Sequence, residues 1–108
     1  MIPLLRALFA RRAEPPPAEV EIYTWQMCPF CWRAKLLLGW KGVRATEYKI
    51  DGDERARTRM AERAGGRRTL PQIFVNGQAI GGCDELYTLN GRGQLDGLLA
   101  QPPSAPPV

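Results

Sequence analysis

The strongest constraint on the fold lies in residues 20–50. "Val20-Glu21-Ile22-Tyr23-Thr24" alternates apolar and polar residues and is rich in β-formers, which predicts a strand. After a short loop, Cys31, Ala34, Leu37 and Leu38 recur at helical spacing on one face, while Arg33 and Lys35 point elsewhere. Glycines 39 and 42 close that helix, and "Ala45-Thr46-Glu47-Tyr48-Lys49-Ile50" reads as a second strand. Strand, helix and strand within about 30 residues make a βαβ unit, which favours parallel pairing.

The remainder extends this unit into a small α/β domain. Asp51 to Glu54 offer N-cap candidates for a helix carrying Ala56, Met60 and Ala64, which Gly65-Gly66 stops. "Gln72-Ile73-Phe74-Val75" and "Gln78-Ala79-Ile80" flank Asn76-Gly77, a type I′ hairpin signal. Gly81-Gly82 breaks the second strand, and a helix with acids in its first turn begins at Cys83. A last short helix runs through Leu95, Leu98 and Leu99. The order βαβ–α–ββ–α predicts a central four-stranded mixed sheet flanked by helices. The domain is expected over 19–100, between an N-terminal extension at 1–18, read as flexible, and a Pro-rich tail at 101–108.

Composition removes several functions. The chain has three cysteines and no histidine, too few ligands for a structural zinc site and too sparse a set for a disulfide framework. No metal is expected. The net charge is +4, yet Arg55, Arg57, Arg59 and Arg63 alternate with Asp53, Glu54 and Glu62. That pattern describes a solvated helix face with local ion pairs, and no nucleic-acid partner is expected. No run approaches the roughly 20 apolar residues of a membrane span. Residues 1–18 are apolar and Arg-bearing, with no acid before Glu14. The expected location is cytoplasmic, with an organelle presequence as the alternative.

"Cys28-Pro29-Phe30-Cys31" carries the chemistry. A CxxC also serves as half a metal site, so its position decides its reading. Here it ends a strand-to-helix loop, with Pro29 at a favourable first helical position. Unpaired N–H groups and the positive end of the helix dipole favour an anion there, and thiol pKa values in such settings fall to roughly 3.5–7.5. Cys28 is the expected attacking thiolate and Cys31, one turn on, the resolving thiol.

These motifs carry a resemblance. "Tyr23-Thr24", "Cys28-Pro29-Phe30-Cys31" and "Arg33-Ala34-Lys35-Leu36-Leu37" resemble the dithiol (class I) glutaredoxins. So do "Thr69-Leu70-Pro71-Gln72-Ile73-Phe74-Val75-Asn76-Gly77" and "Ile80-Gly81-Gly82-Cys83-Asp84-Glu85-Leu86". The likeness runs from about Glu21 to Leu99 and is strongest to the small bacterial glutaredoxin-3 type. It implies a thioredoxin-like fold, a Cys28–Cys31 redox disulfide and glutathione as reducing co-substrate. It also implies a cis bond before Pro71 and a Leu70 backbone that pairs with glutathione. The Gly82-Cys83-Asp84 turn would accept the γ-glutamyl carboxylate, with Asp84 receiving the ammonium group. Arg67 and Thr69 would help hold the peptide, and Phe30 and Trp25 would border it.

The implied partners are glutathione, disulfide-bonded or glutathionylated proteins and, through NADPH, glutathione reductase; the expected state is a monomer. Two rival readings are a dimer binding a [2Fe-2S] cluster with glutathione and a redoxin reduced by thioredoxin reductase. Three residues depart from the family pattern: Trp25 replaces a common Lys, Phe30 a common Tyr and Leu70 a common Val. Cys83 is expected to be a buried, inert thiol.

Overall fold

The computed structural model describes residues 15–103; the parts of the expected tails at 1–14 and 104–108 lie outside the described residues. The elements are β1 (Val20–Thr24), α1 (Pro29–Trp40), β2 (Thr46–Lys49), α2 (Glu54–Arg63), β3 (Gln72–Val75), β4 (Gln78–Gly81), α3 (Cys83–Gly91) and α4 (Leu95–Leu99). They form one four-stranded sheet in the order β2-β1-β3-β4. β1 pairs parallel with β2, as the βαβ spacing requires, and antiparallel with β3. β3 and β4 form the hairpin, and both Asn76 (φ 52°) and Gly77 (φ 80°) take the positive φ of a type I′ turn.

The period-2 alternation of the strands divides the core into two layers. Val20 and Ile22 of β1 share one face with Ile73 and Val75 of β3, and this face packs on Ala34, Leu37 and Leu38 of α1, Leu86 of α3 and Leu95 and Leu99 of α4. Phe74 points to the other face, where Met60, Ala56, Ala64 and Ile50 cover it and Tyr23 and Leu70 flank it. Each fully buried side chain of this kind contributes roughly 1.5–3 kcal/mol. The α2 helix starts on Asp53, whose carboxylate accepts the Ala56 N–H at 3.0 Å. Such a cap contributes about 0.5–2 kcal/mol.

The expected local ion pairs on α2 are replaced by tertiary ones. Arg63 reaches across to β1 and donates to both oxygens of Glu21, at 3.1 and 2.8 Å, and to the Tyr23 hydroxyl at 2.9 Å. Its guanidinium lies 4.1 Å from the centre of the Phe74 ring, sealing the edge of the second core layer. Hydrogen bonding from Arg63 holds the Glu21 carboxyl below its usual range, against the cost of burial. Arg68 pairs with Glu54 at 2.9 Å. No helix among the described residues is long and apolar enough to cross a membrane.

Candidate active site

Cys28 is the N-cap of α1, in extended conformation, with Pro29 in the first helical turn. Its sulfur accepts the backbone N–H of Cys31 at 3.2 Å. The chain thus uses a sulfur where most helices place Ser, Thr, Asp or Asn. Cys28 and Cys31 are joined as a disulfide with Cα atoms 5.2 Å apart, within the usual span of such bonds. Cys31 is fully buried and Cys28 partly exposed, the asymmetry expected of a resolving and an attacking thiol.

The loop before Cys28 is held from two sides. The Gln26 N–H donates to both carboxylate oxygens of Asp51, at 3.1 and 3.0 Å. Its carbonyl accepts the indole N–H of Trp32 at 3.2 Å.

Opposite the disulfide stands the Leu70-Pro71 segment, whose peptide bond is cis. The Leu70 carbonyl oxygen lies 4.0 Å from Cys28 Sγ. Pro71 is buried, and its carbonyl oxygen would stand 3.0 Å from a Cβ placed on Gly82, so a side chain there would press the α3 start away from Pro71 by a few tenths of an ångström. Gly81 is constrained further: its φ is 107°, and a Cβ there would meet Glu85 Cγ at 2.8 Å and Arg67 Nη1 at 2.9 Å.

A cavity of about 160 Å³ runs between these pieces, lined by Phe30, Arg67, Thr69, Leu70, Pro71, Gly82, Cys83, Asp84 and Glu85. Eight residues singled out from the sequence therefore meet in one cleft. Trp25 does not line it; its ring is stacked under Arg57, whose guanidinium carbon sits 4.7 Å from the ring centre. Arg68 also stays outside, on Glu54.

The start of α3 holds a carboxylate of its own chain. The Gly82 N–H donates to Glu85 Oε1 at 2.6 Å, and Arg67 donates to the same oxygen at 3.2 Å. The Gly82 N–H, first, and Arg67 hold the Glu85 carboxyl below its usual range despite burial. The next N–H groups, of Cys83 and Asp84, have no carbonyl four residues back within the helix and point past its end. Burial pushes the Cys83 thiol up; Asp84 and Glu85 reinforce that shift and Arg33 opposes it. Among the described residues no group of three or more Cys, Asp or Glu side chains could hold a metal ion.

Two residues escaped the sequence reading. Glu85 was legible only as an acid in a first turn, although an acid three residues after an N-cap is the capping-box signature. Arg57 gave no signal, because its partner Trp25 lies 32 positions away on another element.

Comparison with known proteins closes the identification. The glutaredoxin family model matches residues 20–80, more than half of the chain. The chain belongs to the glutaredoxin family. This glutaredoxin is similar to a probable glutaredoxin of Synechocystis sp., at 68% identity over 93% of this chain and 92% of the relative. It is 56% identical to glutaredoxin 3 of Escherichia coli K12, over 76% of this chain and 98% of the relative. Among solved structures it resembles a buckwheat glutaredoxin–glutathione complex, with a TM-score of 0.70 and 25% identity over 89% of both chains. Relatives of this kind are thiol–disulfide oxidoreductases, and this chain is an enzyme of that class with Cys28 and Cys31 in its active site.

Proposed function

We propose that this glutaredoxin reduces glutathione mixed disulfides and protein disulfides, with glutathione as the electron donor, as a cytoplasmic monomer. One observation carries the reading: the cleft that joins Thr69, Leu70 and Pro71 to the α3 start lies beside the disulfide, with Cys28 Sγ 4.0 Å from the Leu70 carbonyl oxygen. The complex of the buckwheat relative with glutathione supports the choice of co-substrate.

In the reduced enzyme the Cys28 thiolate sits at the N-terminus of α1, favoured by the helix dipole and by the Cys31 N–H. It attacks the glutathione sulfur of a glutathionylated protein. The protein thiolate leaves and takes a proton, and a Cys28–glutathione disulfide remains. The glutathione moiety extends along the Leu70 backbone, held by Thr69 and Arg67 and bordered by Phe30. Its γ-glutamyl carboxylate meets the N–H groups of Cys83 and Asp84 at Gly82, and its ammonium group meets the Asp84 carboxylate. A second glutathione thiolate attacks the bound glutathione sulfur, releasing glutathione disulfide and restoring the Cys28 thiolate.

For a protein disulfide, Cys28 forms the mixed disulfide with one substrate sulfur, and the Cys31 thiol displaces the substrate as a dithiol. Two glutathiones then reduce the Cys28–Cys31 bond. Glutathione reductase and NADPH regenerate the glutathione. Trp25, at the position of the lysine common in the family, is stacked on Arg57 and does not line the cleft.

The test is the reduction of a small glutathione mixed disulfide, followed by NADPH consumption with glutathione reductase in excess. Turnover that needs both glutathione and Cys28 is expected. A folded wild-type protein without turnover would overturn the proposal.

A further inference from the structure

Thr24 and Gln72 are the fully buried polar side chains among the described residues. Thr24 is accounted for, because its hydroxyl donates to Glu47 at 2.6 Å and Lys35 completes that pair. Gln72 is not. It opens β3 directly after Pro71, on the sheet face that carries Phe74. An amide in an apolar layer is costly unless its polar atoms are used.

The amide of Gln72 is used on one side only. Its Nε2 donates to Thr69 Oγ1 at 3.2 Å, spanning Leu70-Pro71. Its Oε1, also buried, finds no partner among the described residues. Thr69 itself is exposed and lines the cleft beside Arg67. A hydroxyl oxygen accepts while its single proton donates. With that oxygen engaged from beneath, the Thr69 proton is directed away from Gln72. A hydroxyl that already accepts a hydrogen bond is also the stronger donor. Thr69 and Arg67 then both present donors to the cleft, and the carboxylates and peptide carbonyls of glutathione supply acceptors.

We propose that Gln72 is a positioning residue for glutathione, whose buried amide fixes the Thr69 hydroxyl as a donor to an oxygen of the bound tripeptide. This role rests on the glutathione reading above and adds to it a residue that does not line the cleft. The competing role is a plain staple of the Leu70-Pro71 turn. The two differ in their effect on stability. A staple stabilises the fold, whereas here the hydrogen bond comes with an orphan acceptor whose burial offsets it. Removing donor and acceptor together, with an apolar side chain of similar shape, is then neutral or stabilising.

The test is Gln72→Met, alone and combined with Thr69→Val, in the coupled reduction of a small glutathione mixed disulfide. Gln72→Met should raise KM about three- to tenfold and leave kcat within about two-fold, the signature of lost binding. Its urea midpoint should stay level or rise, and iodoacetamide should alkylate reduced Cys28 at the wild-type rate. Thr69→Val should raise KM by a similar factor, and adding Gln72→Met to it should change nothing further. Wild-type turnover with an unchanged KM in Gln72→Met would overturn the proposal and leave the glutathione reading standing. So would a KM rise that adds to that of Thr69→Val, or one that comes with a lower urea midpoint or slower alkylation. No turnover by the folded wild type would overturn both. Should Gln72→Met fold poorly, the Cys31→Ser protein reads the same contact by NMR. Glutathionylation of Cys28 should shift the Gln72 side-chain amide resonances, and unmoved resonances would overturn the proposal.

Discussion

The two helices that begin at the cleft, α1 and α3, treat their first turns differently. In α1 the N-cap side chain is a sulfur, and the Cys31 N–H points at it from 3.2 Å. In α3 the N-cap is Gly82, which has no side chain, and the Glu85 carboxylate satisfies only the Gly82 N–H. The first helix spends its positive end on a group of its own chain, the thiolate that reacts. The second leaves its N–H groups open and surrounds them with glycines that admit a close neighbour. In the proposed function one helix start activates a nucleophile and the other receives a carboxylate from outside.

Removing the sulfur breaks the first half of this contrast. Cys28→Ser should reduce mixed-disulfide turnover to background while leaving the fold intact, since serine is itself a good N-cap. A coupled NADPH assay, with circular dichroism beside it, checks both. Cys31→Ser should spare deglutathionylation and impair reduction of protein disulfides; loss of both activities would contradict the assigned roles.

The second half breaks at Gly81. In Gly81→Ala the methyl group meets Glu85 and Arg67 at a φ that other residues rarely adopt. It should cost about 1–3 kcal/mol of stability and raise the KM for glutathione. Urea unfolding and glutathione titrations measure the two effects.

A smaller effect lies in the Glu85 cap, whose carboxyl is held below the ordinary value of 4.5. A depressed folded-state value adds stability that is present above the unfolded value and lost as pH falls through the folded one. The urea midpoint of wild type should therefore exceed that of Glu85→Gln by a steady margin near neutral pH. That margin should shrink as the pH drops below 4.5. Arg57→Ala should cost least, about 0.5–1 kcal/mol from the Trp25 stack, read from the same midpoints.

Much of the fold was legible because its signals are local. The alternation in Val20–Thr24, the Asn76-Gly77 turn and the Gly81-Gly82 break each specify backbone geometry within a few residues. The edge of β2 was less legible: Ala45 and Ile50 extend its apolar pattern, but the strand itself runs from Thr46 to Lys49, with the Ile50 N–H still donating to the Thr24 carbonyl at 2.9 Å. The cleft could be anticipated residue by residue through the family likeness, apart from Glu85 and the position of Trp25. What the sequence could not show were pairs set by tertiary approach. Arg63 looked like a local partner for the acids of α2, yet it crosses to Glu21 because the α2–sheet packing brings them together. Arg57 meets Trp25 for the same reason.

The division of labour between the two helix starts can be measured on the Cys31→Ser protein, trapped as its Cys28–glutathione mixed disulfide and compared with the free thiol by amide NMR. The largest shifts should fall on Leu70 and on Gly82, Cys83 and Asp84, reporting a carboxylate at the α3 start. Shifts confined to the residues around Cys28, with α3 unmoved, would show that the second helix start receives nothing and would contradict the account.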